Sequence, residues 1–175
     1  MNPLIALGLG VAAWETAAWL QRMHRRKVFF EAAERIARQR GKPLLIVGKP
    51  MGWDKDKPSG FMRHGCGCPE KGDTVIDIVA SAPECAANFV QADASDLSRW
   101  PDGHFGSAFV SCTLEHIDDI AGAWRELHRV TRGPGGSAVF VNYPQHMCLF
   151  AFTCGAHKWL IKEAAGGRLV ARRLR

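Results

Sequence analysis

Five short, largely apolar runs constrain this chain more than any other feature, because each has the length of a strand. They are Leu44-Leu45-Ile46-Val47, ending at Gly48; Thr74-Val75-Ile76-Asp77-Ile78-Val79; Asn88-Phe89-Val90-Gln91-Ala92, ending at Asp93; Ser107-Ala108-Phe109-Val110-Ser111; and Ser137-Ala138-Val139-Phe140-Val141. Continuous apolar runs suit strands covered on both faces, as in a parallel sheet. Between the fourth and fifth runs, residues 118–131 place Ile120, Ala123, Trp124, Leu127 and Val130 on one helical face. Asp118 or Asp119 starts that helix, and Gly133-Pro134-Gly135-Gly136 stops it. The order points to an α/β fold with a mostly parallel, Rossmann-like sheet of about five strands. With 175 residues the chain has room for one ordinary domain. Hydrophobic residues at 47% exclude a disordered chain, and six cysteines are too few for a disulfide scaffold.

Ahead of these runs, residues 3–20 read PLIALGLGVAAWETAAWL, with Glu15 as the one charge. As a helix this segment spans roughly 27 Å, close to the thickness of a hydrocarbon core. Glu15 costs roughly 2.5–3.5 kcal/mol if it sits centrally, and less near the interface, where Trp14 and Trp19 also belong. Ala6, Gly10, Ala13 and Ala17 form a small-residue side open to another helix. No positive region precedes the apolar run, which argues against a cleaved signal peptide. Arg22, His24, Arg25, Arg26 and Lys27 follow it, which by the positive-inside rule holds the downstream chain in the cytoplasm. The expectation is a single-pass membrane protein contacting lipid, with its C-terminal domain cytoplasmic. A buried or interfacial helix of a soluble protein is the competing reading.

Charge supports that layout. Residues 22–40 carry +5, residues 41–157 carry −3 and residues 158–175 carry +5. Basic flanks around a mildly acidic middle suit anionic headgroups better than nucleic acid. Residues 22–40 continue as a helix, with Glu31 and Arg35, and Glu34 and Arg38, as i,i+4 pairs and Phe29, Ala33, Ile36 and Ala37 as an apolar stripe. The expected organisation is a transmembrane anchor over residues 1–21 and a basic connector helix over 22–41. A Rossmann domain follows over 42–145, then a basic amphipathic segment over 146–175.

Residues 89–144 contain, in order, Asp93-Ala94, Leu97, Pro101-Asp102, Phe105, Leu114-Glu115-His116, Glu126-Leu127, Arg129-Val130 and Pro134-Gly135-Gly136. This set resembles the class I S-adenosylmethionine-dependent methyltransferases of the type 11 sort. The resemblance implies S-adenosylmethionine as cofactor, bound at the carboxyl ends of the strands. By that resemblance Asp77 matches the acid that holds the ribose hydroxyls, and Asp93, with Ala94 beside it, the acid that accepts from the adenine amine. Gly48 matches the start of the glycine loop, and Ser111 and Cys112 lie where the fourth strand meets the cofactor. Each has a plain structural alternative: Asp93 and Asp96 can cap a turn, Asp77 can pair with a lysine, and His116 can cap backbone groups.

The chain departs from the family after its first strand. Val47-Gly48-Lys49-Pro50-Met51-Gly52-Trp53 keeps two glycines at altered spacing, and Pro50 interrupts them. Pro58, Gly60, Gly65, Gly67, Pro69 and Gly72 break any helix over 50–73. Residues 80–87 are a short crossover, since parallel connections normally need about a dozen residues or more. The two closing strands usual in the family are expected to be missing, so the sheet must be covered by something other than its usual helices. The N-terminal helix, the long loop and a partner are the candidates. His64, Cys66, Cys68 and Cys85 offer four nitrogen and sulfur ligands, but Cys-x-Cys is tighter than the common zinc spacing, and free thiols with no metal are the favoured reading. Residues 147–154 form an apolar run too short to span a bilayer, fit for an interfacial helix, a sheet cover or a docking surface.

Two functions fit this sequence. In one, the protein is a membrane-anchored methyltransferase with an unassigned acceptor, with His116 or Tyr143 as possible bases. In the other, it is an inactive accessory subunit that keeps the fold and stabilises a larger membrane complex. Asp77 and Asp93 favour the first, and the altered glycine loop favours the second.

Overall fold

The computed structural model describes residues 2–48, 72–78, 88–143 and 157–174. It opens with helix α1, Pro3–Gln39. Asn2 caps it, its side chain accepting from the Leu4 amide at 2.9 Å, and Pro3 occupies the first turn, where no amide is needed. The two segments expected as anchor and connector are thus one uninterrupted helix. It stops at Gly41, whose φ of +62° suits the left-handed turn that ends helices.

Strands β1 (Leu44–Val47), β2 (Thr74–Asp77), β3 (Asn88–Gln91), β4 (Ser107–Ser111) and β5 (Val139–Asn142) form one sheet in the order β3-β2-β1-β4-β5. Every pairing in it is parallel. Helix α2, Ile120–Val130, connects β4 to β5, with Asp119 accepting from the Gly122 amide at 2.8 Å. The expected α/β, Rossmann-like architecture is present. The strands and α2 lie within two residues of the expected segments at the ends that can be compared. The crossovers expected at 50–73 and 80–87 lie largely outside the described residues.

The two sheet faces are covered by different means. On one face Leu44, Ile46, Val75 and Phe109 pack against Phe30, Ala33 and Ala37 of α1. Phe30 meets Phe109 edge-on at 5.4 Å, and the Ser107 hydroxyl donates to the Ala33 carbonyl at 2.5 Å. Of the candidate covers for the sheet, the N-terminal helix therefore serves here. Gly106 permits the approach, since a Cβ there would lie 2.6 Å from the Ala37 Cα. On the other face Leu45, Val47, Ile76, Ala108 and Val110 join Leu97, Phe105 and the apolar side of α2.

Polar side chains fix the end of α1. Arg38 donates to both carboxylate oxygens of buried Asp73, at 2.9 and 2.6 Å, and Asp73 also accepts from the Leu44 amide at 2.8 Å. One carboxylate thus ties helix end, first strand and the entry to β2. Arg40 donates to the carbonyls of Gly106, Thr131, Pro134 and Gly136.

After β5, strands β6 (Trp159–Ala165) and β7 (Arg168–Arg173) form a separate antiparallel hairpin. Gly166 and Gly167, with φ of +58° and +83°, make its two-residue turn. Ile161 and Ala164 of β6 join the core on the α2 side, and the Trp124 indole donates to the Gly167 carbonyl at 3.0 Å. These strands do not extend the five-stranded sheet. The apolar run 147–154 lies outside the described residues.

Candidate functional site

Strand order reverses between β1 and β4, and a parallel sheet opens a crevice at the carboxyl ends of its strands at such a point. A small, partly open cleft of about 110 Å³ lies there, lined among others by Gly48, Asp77, Asp93, Ala94, Thr113 and His116. The described residues bring four of the six expected site residues, Gly48, Asp77, Asp93 and Ala94, to one cleft.

Each is set by its strand. Gly48 leaves β1 with φ +83°, its amide donating to the Ile76 carbonyl at 2.9 Å. Asp77 is the last residue of β2. Asp93 follows β3 and uses Oδ1 to accept the Ser95 amide at 2.9 Å, so it caps a turn and lines the cleft at once. Asp96 accepts the Ser98 amide at 3.2 Å, the capping role open to it from the sequence. Two carboxylates on one rim offer acceptors for hydroxyl or amine donors of a ligand.

Ser111 and Cys112 are not among the residues lining this cleft. Cys112 adopts φ +50° and donates its amide to the Asn142 carbonyl at 2.7 Å. That turn ends the strand alternation, and Thr113 becomes the residue at the cleft. Burial pushes the Cys112 thiol up to about 11, Glu115 adding to the rise while Arg22 and Arg26 oppose it. Thr113 lies over Gly48: a Cβ on Gly48 would fall 1.9 Å from its hydroxyl oxygen. Thr113 also donates to the Ser111 carbonyl at 3.0 Å.

The two possible bases separate. His116 lines the cleft, whereas Tyr143 lines a second small cavity, donates its hydroxyl to the Lys162 carbonyl at 3.3 Å and holds the Arg25 guanidinium 4.7 Å above its ring. Asp118 and Lys158 form a 2.7 Å ion pair at the rim of the cleft.

Sequence reasoning missed Thr113, Glu115 and His157. Glu115 is 2% exposed, and neither carboxylate oxygen has a hydrogen-bond partner among the described residues. Burial pushes its carboxyl up to about 7, opposed by its own backbone amide and then by the charge of Arg22. The signal for Glu115 was its place inside Leu-Glu-His. His157 gave none, because it arrives from the far end of the chain.

Residues 73–140 match the family model described as the methyltransferase domain. That stretch runs from the entry of β2 into β5, and it carries Asp77, Asp93, Thr113 and His116. Over that stretch, which is under half of the chain, the sequence is similar to a methyltransferase domain, and the described sheet is Rossmann-like. Among solved structures, the chain is similar to an S-adenosylmethionine-dependent methyltransferase from Mesorhizobium loti, with 22% identity and a TM-score of 0.34. That match covers 51% of this chain and 41% of the other, so this chain spans under half of that protein's length. No curated protein matches the chain.

Proposed function

We propose that this protein is a membrane-anchored, S-adenosylmethionine-dependent methyltransferase-like protein. The observation that carries the reading is the strand-end cleft uniting Gly48, Asp77, Asp93 and Ala94. These residues fit the cofactor: two carboxylates for its hydroxyl and amine donors, with an apolar Ala94 beside them. When bound, S-adenosylmethionine supplies a sulfonium-activated methyl carbon for in-line displacement. Asp77 would accept from ribose hydroxyls, and Asp93 from the adenine amine with the carboxylate oxygen that Ser95 leaves available. The protein's contribution to such a transfer is positioning.

The anchor reading rests on α1. It is long and apolar enough to cross a membrane, and its apolar window is unburied. Leu4, Ile5, Leu7, Leu9 and Leu20 stand at least 56% exposed, a surface that water disfavours and lipid accepts. Part of the basic cluster turns inward: Arg25 donates to Asn142 at 3.2 Å and to the Tyr143 carbonyl, and Arg26 is buried. The cytoplasmic placement of the domain is supported by the remaining basic residues.

Thr113 favours a second reading. Its side chain fills the space over Gly48, which limits backbone approach from that side. An inactive accessory subunit, held in a larger membrane complex through residues 1–30 and 146–175, accounts for that.

Calorimetric titration of the detergent-solubilised chain with S-adenosylmethionine and S-adenosylhomocysteine tests the cofactor reading. Saturable heat with both is expected, and none with either contradicts it. Turnover by the isolated chain with any acceptor excludes the accessory reading.

A further inference from the structure

A triad of ligating side chains lies where the cleft meets the C-terminal hairpin. Glu115, His116 and His157 each bring one nitrogen or oxygen atom, and these atoms all lie within 4.8 Å of one another. The imidazole rings of His116 and His157 stand 4.7 Å apart, centroid to centroid. Glu115 and His157 are buried, and His116 opens onto the cleft.

The backbone builds this arrangement. Leu114–His116 is a single 3-10 turn leaving β4, which sets Glu115 inward and His116 at the cleft wall. The hairpin is pinned to the same turn: the Lys158 amide donates to the Glu115 carbonyl at 2.8 Å, and the Trp159 indole to the Ile117 carbonyl at 2.8 Å. Those two bonds come from the two residues that follow His157 and hold it against the turn. The second, independent observation is the Glu115 carboxylate, buried with neither oxygen hydrogen-bonded among the described residues. A buried carboxylate left so is costly unless it takes up a proton or a cation completes it.

We propose that Glu115, His116 and His157 bind a divalent transition-metal ion of the zinc class. Two imidazoles and one carboxylate are a ligand set that zinc takes at catalytic sites, leaving a fourth position open. Tetrahedral bonds of about 2.1 Å place ligand atoms about 3.4 Å apart, so the triad closes on an ion by side-chain movements of about 1 Å. His116 lines the cleft, and Glu115 and His157 line the second small cavity. In this account His116 is a ligand rather than a free base, and the ion clamps the hairpin to the strand-end region. The site stands whether or not the cleft binds S-adenosylmethionine.

The test uses the full chain in detergent, stripped with chelator, then titrated with zinc chloride alone and with cobalt chloride alone. One equivalent of zinc should bind. His157→Ala and Glu115→Gln should each weaken it by about 100-fold or more, and Cys66→Ser/Cys68→Ser should leave it unchanged. The cobalt form should show ligand-field bands without thiolate-to-cobalt charge transfer. Absence of binding at micromolar zinc, binding unmoved by His157→Ala, or thiolate charge-transfer bands would overturn the proposal. The wild-type cobalt spectrum decides between these even if a variant fails to fold.

Discussion

Single residues carry sharp expectations because their surroundings are specific. Gly48 combines φ +83° with Thr113 over its Cα, so Gly48→Ala should cost about 1–3 kcal/mol in stability, read by thermal unfolding. Thr113→Ala in the same chain should recover the steric part and leave the backbone part. Cys112 gives a pH expectation. With its thiol raised to about 11, the thiolate is scarce at neutral pH and grows as pH rises toward that value. Relative to an unperturbed thiol, alkylation at pH 8 should be slower by about 100-fold, measured site by site by mass spectrometry. Rapid modification of Cys112 at pH 7 would show that the thiol is not buried as described. At this scale the sequence was informative only where a residue's role is local. Asp93 and Asp96 cap turns two residues away, which a short window reveals. Glu115 and His157 meet only through tertiary structure, and no spacing rule joins them.

At the scale of elements, the strands were legible because burial on both faces leaves continuous apolar runs. Helix α2 was legible because its apolar side repeats at helical spacing. The hairpin β6–β7 was not anticipated, although Gly166-Gly167 marks its turn. Its strands carry Lys162, Arg168, Arg172 and Arg173 against Glu163, so their composition read as a basic tail. The helix-to-sheet junction makes the clearest prediction here. Arg38 is partly exposed, whereas its partner Asp73 is 1% exposed. Arg38→Ala leaves a buried carboxylate with less compensation and should cost about 2–4 kcal/mol, with Asp73→Asn partly relieving the loss in the double variant. Phe30→Ala removes a fully buried ring from the α1 face and should cost about 3–5 kcal/mol. Losses under 1 kcal/mol in denaturant unfolding would show that α1 does not cover this sheet face.

For the whole molecule, one helix has two unlike halves. Residues 3–20 of α1 expose leucines, while Phe30, Ala33 and Ala37 of the same helix complete the protein core. If residues 3–20 insert in a membrane, as proposed, a rigid link of this kind holds the domain close to its surface. The chain should therefore stay with membranes through extraction at high pH, and release into the soluble fraction would contradict an anchor. The central claim is that the strand-end cleft holds S-adenosylmethionine through Asp77 and Asp93. The most direct measurement is titration of S-adenosylhomocysteine into the detergent-held wild type and its Asp77→Ala and Asp93→Ala variants. The expected result is saturable binding to the wild type and a loss of about 1–3 kcal/mol in each variant, because each leaves a ligand donor without its acceptor. Equal affinity in all three chains would place the ligand elsewhere and contradict the account.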